Sequence, residues 1–162
     1  MLDQQACIRC SNLEYFEIPN SLRTIGARVF NQCEKLPFND FKNVTSFGQN
    51  AAANRKTNAG VFADDGELKI GGGNLNFYSN ALKTTGYSHV IMGSNENPVT
   101  NITYVSTSGT AFNDNPNMTM MTVILPEDAD DSLITQIENV INNKLVDPKN
   151  PAFSPNVKRA YS

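Results

Sequence analysis

The cysteines and the histidine are the residues of this chain best suited to chemistry. Cys7 and Cys10 form a Cys-x-x-Cys pair, Cys33 follows 23 residues after Cys10, and His89 is the single histidine. Thiolate and imidazole groups are the usual ligands of a structural zinc ion, so these four residues could form a zinc set. Cys10 and Cys33, however, hold equivalent interior places in a repeat, where free cysteine packs as a small apolar side chain. We therefore expect reduced, buried thiols and no metal.

Three other stretches could carry chemistry and have simpler interpretations. The glycines at 71–73 would hold a phosphate only if a helix with a lysine or serine began beside them, which the sequence does not offer, so we expect a turn. The acidic residues at 127–131 could hold calcium, but they precede a helical apolar pattern and suit the first turn of that helix. His89 as the base of a hydrolase has no partner identifiable from sequence. We predict no catalytic, cofactor-binding or metal-binding residue, and no enzyme.

Composition narrows the class of protein. The chain has 162 residues, of which 40% are apolar, and a formal net charge of −3. This length and apolar content fit one domain with a sizeable core. An acidic balance gives no reason to expect a nucleic-acid partner, and no apolar run is long enough for a membrane span. The first residues lack the pattern of a secretion signal, so localisation stays open between a cell surface, if a signal was removed, and a virion.

A repeated half-unit organises the chain. Ala6-Cys7-x-x-Cys10-x-x-Leu13 aligns with Val29-Phe30-x-x-Cys33-x-x-Leu36 at a shift of 23 residues. After a polar insertion near 49–60, the next copy is Val61-Phe62-x-x-Asp65-x-x-Leu68. A late copy is Ala111-Phe112-x-x-Asn115-x-x-Met118, and between these two Ala81-Leu82 is a fainter candidate.

One unit consists of two short extended pieces. Leu13, Phe16 and Ile18 have the close apolar spacing of a brief strand, which Pro19 ends. A second extended piece starts at Ile25, and the following glycine allows a tight backbone. A unit of about 23 residues cannot cover its own core, so successive units must stack and share one.

The segment "CSNLEYFEIPNSLRTIGARVFNQCEKL" resembles the BspA-type leucine-rich repeat, whose units read Cys-x-x-Leu-x-x-Ile-x-Ile-Pro-x-Ser-Val-x-x-Ile-Gly-x-x-Ala-Phe-x-x-Cys. The match weakens after residue 33, and from residue 49 only the Phe-x-x-polar-x-x-Leu core persists. The resemblance implies a right-handed solenoid with short parallel strands, used for adhesion by bacterial surface proteins; in phages it would suit receptor-binding or structural parts. The residues that fill the marked places are Cys10, Leu13, Phe16, Ile18, Pro19, Ser21, Leu22, Ile25, Gly26, Val29, Phe30 and Cys33.

The expected fold class is an α/β repeat, an irregular leucine-rich-repeat solenoid with short parallel strands and a C-terminal helix. We expect the solenoid over residues 1–126. The remaining residues, 127–162, should form a capping helix near 131–145 and an extended tail. The predicted repeat core is Cys7, Cys10, Leu13, Phe16, Ile18, Ile25, Gly26, Phe30, Cys33, Leu36, Phe62, Leu68, Phe112 and Met118.

The expected function is non-enzymatic recognition or adhesion, in which the repeat surface binds a protein or a glycan. The alternative is a structural component of a larger assembly, such as a tail, fibre or capsid-associated protein of a phage. The half-unit at the N-terminal end has no strand before it to cover its apolar side chains. We therefore expect self-association or docking on another subunit there, with Leu2 and Leu13 in the contact.

Overall fold

The computed structural model describes residues 5–35, 40–54, 66–105, 109–147 and 151–162. In chain order, the elements are β1 (Thr24–Ile25), β2 (Asp40–Phe41), β3 (Ser46–Phe47), β4 (Gly66–Ile70), β5 (Gly73–Tyr78), β6 (Tyr87–Met92), β7 (Val99–Val105), β8 (Met120–Leu125), α1 (Asp131–Val140), which continues into a π-helical turn (Ile141–Leu145), and β9 (Ser154–Arg159).

Two parallel sheets share the strands alternately. Sheet A has the order β1-β3-β5-β7, and sheet B has the order β2-β4-β6-β8-β9. Each of the first six strands pairs in parallel with the second strand after it, so the chain crosses between the sheets at every step from β1 to β8. These parallel sheets with one C-terminal helix fit an α/β repeat of the leucine-rich-repeat kind.

Backbone hydrogen bonds also link the turn segments that join the strands, and we call this stack the turn ladder. It comprises residues 5–10, 27–33, 49–54, 79–85 and 109–115. The Cys7 N–H donates to the Val29 carbonyl at 3.0 Å, and the Phe30 N–H donates to the Ala51 carbonyl at 2.8 Å. The Leu82 N–H donates to the Ala111 carbonyl at 2.8 Å. The faint Ala81-Leu82 copy therefore belongs to the repeat.

Left-handed backbone recurs at two places in the first four turn segments and at the second of these places in the fifth. The first place holds Gln5, Arg28, Asn50 and Asn80, and the second holds Arg9, Gln32, Asn54, Thr84 and Asp114, all with φ between 53° and 64°. Residues with a side chain adopt this region at a cost in energy. The repetition shows that one turn conformation is retained although the side chains change.

The core lies between the two sheets and is rich in phenylalanine. Phe47 and Phe77, register partners in sheet A, stack with ring centroids 5.4 Å apart. The rings of Phe77 and Phe112 lie 5.7 Å apart. Of the predicted repeat core, Ile25, Phe30, Cys33, Leu68, Phe112 and Met118 are buried, whereas Cys7, Cys10, Leu13, Phe16, Ile18 and Gly26 are half-buried. Leu2, Leu36 and Phe62 lie outside the described residues.

The C-terminal helix covers one end of the turn ladder. The Asp130 carboxylate accepts a hydrogen bond from the Leu133 N–H at 2.8 Å and caps α1, as the acidic run predicts. The Lys144 and Leu145 carbonyls accept hydrogen bonds from the Ala111 and Phe112 N–H groups. The segment expected as an extended tail instead adds β9 to sheet B beside β8.

The structure differs from the sequence-based expectations in three further places. Residues 13–18 do not form a strand. The described part of the expected insertion, residues 49–54, lies in the turn ladder, because Ala51 and Ala52 take the places that Val29 and Phe30 hold one unit earlier. The Cys7 and Cys10 thiols are half-buried rather than buried.

The other expectations have simpler outcomes. The glycines at 71–73 join β4 to β5 at a close approach, where a Cβ on Gly72 would lie 1.9 Å from the Asn97 carbonyl oxygen. In the described part of the chain, no helix is long and apolar enough to cross a membrane.

Candidate recognition surface

The outer face of sheet A is built by the alternation of side chains along its strands. In β5, Leu75 and Phe77 are buried, so Asn74, Asn76 and Tyr78 project outward. The parallel register extends this pattern across the sheet. Thr24, Ser46, Asn76 and Thr103 form one row of neighbouring side chains, Asn74 and Asn101 form a second, and Tyr78 and Val105 form a third.

This face carries no formal charge. None of the four strands of sheet A contains Asp, Glu, Lys, Arg or His. Sheet B differs, since its outer positions include Asp40, Glu67, Lys69, His89 and Lys158. Desolvating hydroxyl and amide groups costs much less than desolvating charges. Sheet A is therefore the face that a partner can cover at the lower cost.

Helix α1 extends the uncharged surface beyond the last strand of sheet A. The Gln136 side-chain amide donates to the Asn101 side-chain oxygen at 3.5 Å, which joins the helix to the Asn74–Asn101 row. An open groove of about 710 Å³ runs along this side of the helix. Asp131 and Lys144, near the two ends of the groove, are its charged lining residues. The uncharged polar lining residues between them are Ser132, Thr135, Gln136, Asn139 and Asn143. We call the outer face of sheet A together with this groove the polar face.

Exposed apolar groups lie at one border of the polar face. The Tyr78 and Val105 side chains are register partners at the ends of β5 and β7 and are 41% and 50% exposed. The neighbouring Tyr104 hydroxyl donates to the Gly109 carbonyl at 2.6 Å, which anchors that ring. An aromatic side chain next to amide and hydroxyl rows offers both apolar contact and hydrogen bonding.

Sheet B brings His89 next to partners that the sequence did not identify. The His89 Nδ1 atom lies 3.4 Å from a Glu67 carboxylate oxygen, and Nε2 lies 2.8 Å from the Thr122 hydroxyl. The Asn156 amide donates to the same hydroxyl at 3.3 Å. The order carboxylate, imidazole, hydroxyl is that of a hydrolytic triad. Thr122 is only 5% exposed beneath these side chains, so the row supports cross-strand hydrogen bonding rather than attack on a substrate.

Cys7 and Cys33 lie where the protonated thiol is favoured. The Cys33 thiol is fully buried and donates to the Cys7 carbonyl at 3.0 Å. Burial raises the pKa of the Cys7 thiol and raises the pKa of Cys33 to about 11. Thiols in this state are poor nucleophiles and poor metal ligands. Within the described ranges, no three His, Cys, Asp or Glu side chains are arranged to hold a metal ion.

The interior place that Cys33 holds is taken by polar residues in later units. The Asn115 side-chain oxygen accepts hydrogen bonds from the Thr85 N–H at 2.8 Å and from the Thr85 hydroxyl at 2.6 Å. The Asn115 amide donates to the carbonyls of Phe112 and Leu82 at 2.7 and 3.1 Å. The sequence analysis found Asn115 but missed Thr85. The two residues align only at a spacing of 30 residues, which differs from the 23-residue shift of the first units.

A family model described as "BspA type Leucine rich repeat region (6 copies)" matches residues 2–58. The match confirms the resemblance found over residues 10–33. The turn ladder continues past the matched segment to residue 115. No curated protein and no solved structure matches the chain. The match suggests a protein-interaction module, and such repeats are generally non-enzymatic.

Proposed function

We propose that this protein is a recognition module and that the polar face is its binding surface. We also propose that the stacked units form an irregular leucine-rich-repeat solenoid over residues 1–126, capped at its C-terminal end by α1, which lies in the segment of residues 127–162. The preferred partner is a protein. The observation that carries the proposal is the absence of charge from all four strands of sheet A.

Physical chemistry supports this assignment. The buried centres of protein interfaces are depleted in charged residues, and asparagine, serine and tyrosine are the residue types that adaptable binding surfaces favour. The row from Thr24 to Thr103 offers hydroxyl and amide groups at the regular spacing of adjacent strands, about 4.8 Å. A partner can therefore form several hydrogen bonds without burying an unpaired charge.

A glycan is the second candidate ligand. The amides of Gln136, Asn101 and Asn74 follow one another along one line and can pair with neighbouring sugar hydroxyls. Tyr78, further along β5, supplies an aromatic ring for apolar contact. Adhesion at a cell surface is compatible with either ligand.

The test is binding to two immobilised panels, one of extracellular proteins and one of glycans. The double variant Asn76→Lys and Thr103→Lys places two like charges on sheet A and should abolish the binding that the unchanged protein shows. Asn156→Lys, on the outer face of sheet B, is the matched control and should retain it. Binding that survives the sheet A variant but is lost in the control would contradict the proposal, as would the absence of binding to both panels.

A structural role in an assembly is the alternative function. It is favoured by the half-buried apolar side chains at the N-terminal end of the described chain, among them Cys7, Leu13 and Phe16. Such a subunit would use this end, not the polar face, for its main contact. The binding panels separate the two roles, because an assembly subunit keeps its contact when sheet A carries charges.

A further inference from the structure

Alternate peptide groups of the turn ladder point in one direction. In one segment, the N–H groups of Arg28, Phe30 and Gln32 donate to the following unit, at 2.8–3.0 Å. The carbonyls of Ala27, Val29 and Asn31, which belong to the same three peptide groups, accept from the preceding unit. The intervening peptide groups bond within the segment, since the Asn31 and Cys33 N–H groups donate to the Arg28 and Phe30 carbonyls. The turn ladder thus aligns alternate peptide dipoles along its stacking direction.

This alignment gives the ladder a donor end and an acceptor end. At the donor end, the Ala111 and Phe112 N–H groups donate to the Lys144 and Leu145 carbonyls at 3.2 and 2.7 Å. Those carbonyls lie in the π-helical turn at the C-terminal end of α1, where a helix concentrates negative partial charge. The helix therefore supplies acceptors to the donor end of the ladder.

The acceptor end lies at residues 5–9. The N–H groups of Cys7 and Arg9 donate to the second unit at 3.0 and 2.7 Å. Because no peptide bond here is cis, the Ala6 and Ile8 carbonyls point the opposite way, out of the stack. Among the described residues, no backbone N–H donates to either carbonyl, and the one side-chain contact is the Cys10 thiol, 3.9 Å from the Ile8 oxygen.

Apolar side chains surround these carbonyls. Cys7, Cys10 and Phe16 pack against the core but remain half-buried, whereas Phe30, which aligns with Cys7 one unit later, is fully buried. A surface that combines outward carbonyls with half-covered apolar groups matches a segment that offers N–H donors and apolar side chains together.

We propose that the acceptor end docks a polypeptide segment that donates backbone N–H groups at alternate residues, as each unit of the ladder does toward the unit after it. This docking site is separate from the polar face and goes beyond the proposed function. A second copy docking through its own acceptor end would place carbonyls against carbonyls. The partner is therefore a different surface, one that presents the donor side of such a turn segment.

The probe is the full chain extended at its N-terminus by a copy of residues 1–23, with Cys7→Ala and Cys10→Ala in the copy only. The 23-residue shift places the N–H groups of copy positions 7 and 9 opposite the original Ala6 and Ile8 carbonyls. Labelling of the original Cys7 and Cys10 thiols should slow by at least about tenfold, as expected if one or two net hydrogen bonds hold the segment in place. The carbonyl ¹³C resonance of Ala6 should shift as its oxygen becomes hydrogen-bonded.

The matched control is the same extension with a backbone ester at copy position 7, which removes one N–H donor and leaves the side chain unchanged. Labelling should then return toward the rate of the unextended chain. Equal protection by the ester and amide extensions would overturn the donor mechanism, and no protection by either would overturn the docking site. A dimer of the unextended chain that is lost in Leu13→Arg would assign this end to a second copy instead. None of these readouts involves the polar face, so failure here leaves the binding-panel test independent.

Discussion

Replacing Phe30 with alanine tests the repeat register most directly. The Phe30 side chain is fully buried, and its ring lies edge-on to Phe16 with centroids 5.0 Å apart. Its neighbours in the turn ladder, Cys7 and Ala52, are small and cannot fill the space that the ring leaves. Phe30→Ala should therefore lower the free energy of unfolding by about 3–5 kcal/mol, near the top of that range. This is a large part of the roughly 5–15 kcal/mol that stabilises a typical domain.

Urea denaturation followed by circular dichroism measures this loss. With an m-value of about 2 kcal/mol/M, a loss of about 4 kcal/mol moves the midpoint by about 2 M. Tyr78→Ala is the matched control, because this aromatic side chain is 41% exposed and should cost less than about 1 kcal/mol. A loss below about 1 kcal/mol for Phe30→Ala would show that the assigned register is wrong.

Three further predictions concern backbone geometry and the buried thiol. Gly72→Ala should lower the free energy of unfolding by about 2–3 kcal/mol, because its Cβ would lie 1.9 Å from the Asn97 carbonyl oxygen. Gly66→Ala, at φ 76° with open space around it, should lower it by only about 1 kcal/mol. Equal shifts in Tm for the two variants would contradict this. Thr84→Asn should raise stability by roughly 0.5–1 kcal/mol in urea denaturation, because asparagine tolerates φ 53° better than a β-branched residue; a net loss would refute that cause. Because the pKa of Cys33 is raised from 9.0 to about 11, its protonated thiol contributes fully to stability below pH 9.0, and this contribution is lost as the pH rises through about 11. Cys33→Ala should flatten this alkaline dependence in a pH series of unfolding curves. An unchanged slope would count against this cause.

The parts of the fold that sequence comparison found are those that depend on side-chain type. The shift of 23 residues between Cys7 and Phe30 is visible because each unit must place an apolar side chain at the same interior point. The C-terminal helix was found because its apolar residues recur at helical spacing behind an acidic first turn. The Ala111-Phe112 copy was found for the same reason as the first repeat.

The parts that sequence comparison missed depend on the backbone or on distant neighbours. Ala51 and Ala52 keep their place in the ladder through main-chain hydrogen bonds, which leave little trace in residue type. Strand β9 joins sheet B by pairing with β8, although its sequence contains a proline and is mostly polar or charged. Edge strands tolerate both features, so composition alone pointed to a tail.

The amino-acid sequence by itself determined the repeat, its resemblance to a repeat family over residues 2–58 and the helix, because these rest on periodic burial of apolar side chains. The tertiary structure alone decided which strands are neighbours, and so brought Asn74 beside Asn101 and His89 beside Thr122. It also decided that the turn segments stack with alternate peptide groups aligned, which points the Ala6 and Ile8 carbonyls outward at one end. Hydrogen bonding between main chains is common to all residue types, so only the folded arrangement shows which groups it leaves for a partner.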